Sequence, residues 1–287
     1  MSEAHPGVRS STVLVDGNEI AYVESGAADA PAVILIHGLL SDGGTWLADL
    51  EPLAERGLRP IAVDLIGHGR SAKPPATYLL DDFAQMLDGF MGALQLDSAT
   101  VCGHSLGGAI AIHFGYHYPK RVGRLVLVSA GGLGREVNPA LRMLSLRGAE
   151  GLTGAVLGRR AVQRILRSPR LHRLCRITPD RLPNLRRIGG TLFRMDSRAA
   201  FFRSLRGVIG PRGQLGSFIE MEYLGAQLPT LLVWSDKDVI IPVSHAHATH
   251  AHLPGSTLVL FAGGGHEPHR RHAAQFADAV ASFVLAK

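Results

Sequence analysis

Six short apolar runs recur along the chain, and their spacing leaves room for a helix between most of them. They are Ala32–His37 (AVILIH), Arg59–Asp64 (RPIAVD), Ala99–Gly103 (ATVCG), Arg124–Ser129 (RLVLVS), Pro229–Trp234 (PTLLVW) and Ser256–Phe261 (STLVLF). Apolar runs this continuous are expected of strands covered on both faces of a parallel sheet. Trp46–Arg56, Asp81 to about Gln95, Leu106–Tyr118, Val243–Leu253 and Arg270–Leu285 read as helices. Ser11–Val15 and Glu19–Glu24 flank the turn signal Asp16-Gly17-Asn18, which predicts a hairpin. Strands alternating with helices specify an α/β fold with a doubly wound, mostly parallel sheet.

The alternation stops over residues 131–223. Apolar residues there sit at helical spacing among arginines and prolines, which predicts a mainly helical insertion. The core is then residues 1–130 and 224–287. Residues 135–212 hold 18 arginines, no lysine and four acids, a net +14, while the rest of the chain carries −8. Such a block can be a solvated helical surface or a positive cover over an anionic substrate. Its arginines interleave with core positions and no nucleic-acid motif accompanies them, so nucleic acid is not an expected partner.

Composition narrows the class further. With 46% hydrophobic residues in 287, the chain can bury a large core without staples. No apolar run reaches the 18 residues of a transmembrane helix. The opening MSEAHPGVRS lacks the apolar centre of a secretory signal. Cys102 and Cys175 form no CxxC or zinc pattern. The expectation is a soluble, cytoplasmic protein, with its oligomeric state left open.

The chemistry concentrates in three loops. Gly103-His104-Ser105-Leu106-Gly107 follows an apolar run and opens a helix, the setting of a nucleophile elbow. A serine there projects its hydroxyl at the carboxyl edge of the sheet, and the amide of the next residue, Leu106, can bind an oxyanion. Serine needs a base held by a third group. Two acids, Asp236 and Asp238, follow the PTLLVW run, and His266 follows STLVLF within GGGHEP. His269 and His272 fall at or inside the last helix and are weaker candidates. Seven of the 14 histidines lie in 245–272, but His245, His247, His250 and His252 do not share one helical face. No HExxH, P-loop or dinucleotide fingerprint is present, so no metal or cofactor is expected.

Together with HGLL (37–40), the D-x-x-G-H-G-x-S stretch (64–71) and SDKDVIIP (235–242), these motifs make the chain resemble the α/β-hydrolase superfamily. The resemblance is to its single-chain serine hydrolases with a helical cap, and it spans the sheet from about residue 10 onward. It implies Asp238 rather than Asp236 as the acid of a Ser105–His266–Asp238 triad. It also implies the backbone N–H of Leu39 as the second oxyanion donor beside Leu106, with His37 and Asp64 as loop-fixing residues. The expected activity is hydrolysis of a carboxylic ester or thioester through an acyl-enzyme. The expected partner is a small acyl substrate, either anionic or carried as a thioester if the arginine block contacts it. Two alternatives use the same residues: a carbon–carbon bond hydrolase acting on vinylogous diketones, and a ligand receptor of hydrolase fold. Ser105 argues against epoxide hydrolases and haloalkane dehalogenases, whose similar folds carry Asp there.

Overall fold

A computed structural model describes residues 7–151, 195–216 and 228–286 of the chain. The hairpin forms as β1 (Arg9–Val15) and β2 (Asn18–Glu24), with Asp16 and Gly17 both at positive φ in the turn. The parallel strands are β3 (Ala32–Ile36), β4 (Arg59–Val63), β5 (Ala99–His104) and β6 (Val122–Val128). After the insertion come β9 (Thr230–Ser235) and β10 (Thr257–Phe261). The order across the sheet is β1-β2-β4-β3-β5-β6-β9-β10, with only the β1–β2 and β2–β4 pairings antiparallel. The fold class read from the strand–helix rhythm is therefore the observed one.

The continuous apolar runs divide their residues between the two faces. Ile34, Ile36, Val101, Leu125, Leu127 and Leu232 pack beneath α2 (Leu80–Ala93) and α3 (Leu106–His117). Val33, Leu35, Cys102, Val126, Val128 and Val233 pack beneath α1 (Leu47–Glu55) and the closing helix α8 (Ala273–Leu285). Each such side chain contributes about 1.5–3 kcal/mol by leaving water. β10 differs from the inner strands because it lies at the sheet's edge, and Leu260 is largely exposed.

Three local details depart from the sequence reading. Trp46 closes a short 3₁₀ turn (Gly43–Trp46) capped by the Asp42 carboxylate, and α1 begins only after it. The last helix is broken at His272 into α7 (Pro268–Arg271) and α8, and His272 adopts a non-helical backbone. Within 131–223, the described elements are α4 (Pro139–Ser145), α5 (Met195–Val208) and, directly after α5, a small ladder of β7 (Ile209–Gly210) with β8 (Gly213–Gln214). Val137, Phe201, Phe202, Leu205 and Ile209 cluster there against Leu39 and Leu40 of the core. The arginine-rich stretch 152–194, Cys175 and the expected boundary at residue 223 lie outside the described residues. α6 (Ser244–His252) completes the set. Among the described residues, no helix is long and apolar enough to cross a membrane.

Candidate active site

β5 ends at His104 and α3 begins at Leu106, so the chain reverses within one residue. Ser105 takes φ 55°, ψ −115°, a conformation costing on the order of 1–3 kcal/mol in a non-glycine residue. Main-chain bonds on both sides hold it there. Its N–H donates to the Val128 carbonyl (3.0 Å), and its carbonyl accepts from Gly108 (3.0 Å) and Gly131 (2.8 Å). The flanking glycines are a steric requirement. A Cβ on Gly103 would come within 2.1 Å of the Gly107 carbonyl oxygen, and one on Gly107 within 2.3 Å of the Ile36 oxygen. Both obstacles are backbone, so neither can swing aside.

The loops after β9 and β10 bring an acid to a base. Asp238, its side chain fully buried, accepts hydrogen bonds from the amides of Ile240 (2.8 Å) and Ile241 (3.0 Å). His266 Nδ1–H donates to the same carboxylate, at 2.9 Å from Oδ2 and 3.1 Å from Oδ1. Burial works to raise the Asp238 pKa, but the His266 hydrogen bond and charge, with the two amides, hold it below the ordinary value. With Nδ1 as donor, neutral His266 keeps its Nε2 lone pair free for a proton. Asp236 instead braces the loops. Exposed at the surface, it accepts from the Gly263 amide (2.6 Å). Ser235 Oγ joins the same two loops by accepting from Lys237 (3.1 Å) and Gly265 (3.0 Å).

His104, left without a role by the sequence, braces His266. Its Nε2–H donates to the His266 carbonyl (2.7 Å), and the two rings lie 4.8 Å apart. Burial and the nearby His266 lower its pKa to about 4, so the ring stays neutral. Buried His269 packs between it (5.0 Å) and Trp46 (4.3 Å). Nothing in the local sequence singles out these contacts, which join residues far apart in the chain.

On the opposite side of Ser105 runs the loop leaving β3. A Cβ on Gly38 would stand 3.1 Å from Ser105 Cβ, so this loop passes alongside the hydroxyl. His37 Nε2 accepts from the Leu65 amide (3.1 Å), which leaves Nδ1–H to donate to the Gly38 carbonyl (2.9 Å). That carbonyl shares a planar trans peptide with the Leu39 N–H, so fixing one direction fixes the other. Asp64 accepts from Gly43 (2.6 Å) and Arg70 (2.8 Å), tying down the neighbouring loop. The Leu106 amide, first in α3, has no carbonyl one turn earlier to bind.

Two cavities meet at Ser105. One, about 260 Å³, is walled by Leu39, Leu106, Val137, Leu141, Val208 and Ile240, and its lining is predominantly apolar. The other, about 660 Å³, contains Ser105, His104 and His266 and is rimmed by Lys237, Arg270 and Arg271. Arg270 pairs with Glu267 (2.7 Å).

The sequence profile described as alpha/beta hydrolase fold matches residues 31–273. The chain belongs to that family. An uncharacterized protein of Mycobacterium tuberculosis is 38% identical over 268 residues, covering 90% of this chain and 76% of that protein. The structure of a Bacillus subtilis carboxylesterase superposes with a TM-score of 0.75 at 23% identity, over 98% of this chain and 92% of the other. A meta-cleavage product hydrolase from Pseudomonas fluorescens IP01 does so with a TM-score of 0.72 at 22% identity, over 95% and 96%. At these identities the two structures speak for the fold, not for the bond cleaved.

In this hydrolase the histidine-rich tail is dispersed. His245 pairs with Glu136 (2.8 Å), His250 bonds Ser256 (2.9 Å), and His272 bonds Gln275 (3.0 Å). Three arginines of the insertion bond to their own segment or to a neighbouring loop. Arg142 bonds the Pro211 carbonyl (2.8 Å), Arg206 pairs with Glu150, and Arg203 bonds the Ala76 carbonyl. None of these three lines either cavity.

Proposed function

We propose that the chain hydrolyses a carboxylic ester or thioester through an acyl-enzyme on Ser105, with His266 as base and Asp238 as its orienting acid. The observation that carries this reading is the buried Asp238–His266 hydrogen bond, in a loop pair whose histidine lines the same cavity as Ser105. As Ser105 Oγ bonds to the acyl carbon, its proton passes to His266 Nε2, and Asp238 stabilises the imidazolium. The amides of Leu39 and Leu106 stabilise the oxyanion, a contribution on the order of 10²–10³ in rate for each donor. The C–O or C–S bond then breaks, and the leaving group takes the proton from His266. Water attacks the acyl carbon, gives a proton to His266, and Ser105 regains it as the free acid departs.

The two cavities divide the substrate. The leaving group must be near His266 to be protonated, which assigns it to the wide cavity and the acyl part to the apolar one. The rim of Lys237 and Arg271 then favours an anionic leaving group.

A fluorophosphonate probe and a substrate panel test the reading. The probe should add once, on the Ser105 peptide, and Ser105→Ala should lose both labelling and turnover of p-nitrophenyl esters and acyl thioesters. The loss should be on the order of 10⁶ in kcat if the serine acts in a triad. Turnover confined to vinylogous diketones would assign the chain to carbon–carbon hydrolysis instead. Tight binding of acyl ligands without labelling or turnover would make it a receptor.

A further inference from the structure

α3 carries His113 and His117, which line neither cavity, four residues apart and one above the other on the same helical face. α2 packs against α3 and presents Asp81 from its first turn to that face. The Asp81 carboxylate lies 2.7 Å from His113 Nε2, and the two imidazoles are 4.4 Å apart, centroid to centroid. One ligand atom from each of the three side chains falls within 4.8 Å of the others. His113 is partly buried and largely fixed by the helix pair, while Asp81 and His117 are exposed, so an ion has open access.

We propose that Asp81, His113 and His117 form a binding site for a divalent transition-metal ion of the zinc type, bridging α2 to α3. Two imidazole nitrogens and one carboxylate oxygen are a donor set suited to zinc, copper or nickel, and poor in the oxygens that calcium and magnesium require. Tetrahedral zinc bonds of about 2.0–2.2 Å place ligand atoms about 3.4 Å apart, so side-chain rotations must bring the three atoms closer around the ion. Solvent fills the fourth position of a tetrahedral ion. The site lies eight residues along α3 from Ser105, about 12 Å at 1.5 Å per residue, so the ion does not touch the reacting atoms. It pins the helix that carries the elbow to its neighbour. A metal here departs from the expectation of none, which weighed the histidines of 245–272 and overlooked this pair.

Zinc competition against a chromophoric chelator, with copper paramagnetic resonance on the same samples, tests the site. The wild-type chain should take up one zinc with a dissociation constant in the micromolar range, and its copper spectrum should show two imidazole nitrogens. A hundred-fold excess of zinc over that constant should favour the folded state about a hundred-fold, raising the thermal midpoint. His117→Ala, at an exposed position, should lose at least tenfold in affinity, most of the thermal shift and one nitrogen from the copper spectrum. Asp81→Asn should weaken zinc without changing the nitrogen count. His252→Ala, an exposed histidine elsewhere, should change none of these. Metal-free ester turnover should be the same in all three variants and the wild type. Equal zinc affinity in wild type and His117→Ala, or no uptake by the wild type, would overturn the proposal.

Discussion

Around Ser105, the loops at the carboxyl ends of β5, β6 and β9 are held by main-chain hydrogen bonds. The facing wall, from residues 131–151 and 195–216, is held mostly by apolar side chains. In the first region, Ser105 hangs on Val128 and Gly131, and Asp238 on Ile240 and Ile241. In the second, Val137, Phe201, Phe202, Leu205 and Ile209 pack on one another and on Leu39 and Leu40. A directional bond loses strength within tenths of an ångström, whereas apolar groups of similar volume exchange at small cost. Under the proposed function, the contrast puts the chemistry in the first wall and substrate choice in the second.

The sharpest way to break that assignment lies within the first wall. Asp238→Asn should lower kcat by about 10⁴, because the amide neither enforces the His266 tautomer nor stabilises its cation. Asp236→Asn should cost far less, since its exposed carboxylate braces the Gly263 amide and Ser235 and does not meet His266. Steady-state kinetics on folded variants decide between them, and the reverse ranking would relocate the acid.

The second wall should respond in selectivity rather than in chemistry. Val208→Phe narrows the apolar cavity, so kcat/KM for a long acyl ester should fall by about ten- to a hundred-fold. A short acyl ester should keep its rate. Equal losses for both chain lengths would mean that the segment positions the catalytic groups after all.

Acid should weaken the fold through two buried histidines near the sheet's carboxyl edge, His68 after β4 and His104 at the end of β5. Burial, then the neighbouring His37, lowers the His68 pKa to about 3, and His104 sits at about 4. Between about pH 6.5 and these values the unfolded chain binds protons that the folded chain refuses, so stability falls as pH falls. Urea midpoints from pH 7 to 4 should decline, and less steeply in His68→Gln. Parallel declines in the two proteins would show that His68 contributes nothing to the slope.

The smallest effect concerns the rim. An ester with a negatively charged leaving group should lose several-fold in kcat/KM from low to high salt, and a neutral one should not. Replacing Lys237 and Arg271 together by Gln should remove the difference. If it persists, the positive field comes from elsewhere in the molecule.

Much of this was legible without coordinates, and the reason is locality. Each of the six apolar runs became a parallel strand, and in all but the edge strand β10 burial on both faces explains the continuous signature in five or six neighbouring residues. The elbow was legible because its motif lies within five residues and one of its clashes is local, Gly103 against the Gly107 carbonyl; the Gly107 clash with Ile36 belongs to the neighbouring strand. His266 could be read from its place after a strand, but the carboxylate it meets could not, since spacing alone left Asp236 and Asp238 open. The structure pairs His266 with Asp238 across 28 positions. The same applies to His104 beneath the His266 carbonyl, to the exposed face of β10 and to the break at His272. It applies most clearly to His113 and His117: their spacing stands in the sequence, but Asp81 reaches them only because α2 packs on α3. Sequence determined what short stretches must become, through hydrophobic burial and backbone sterics. Tertiary packing alone decided which distant side chains meet, and those meetings set the Asp238–His266 contact, the shape of the two cavities and the charge at the rim of the wider one.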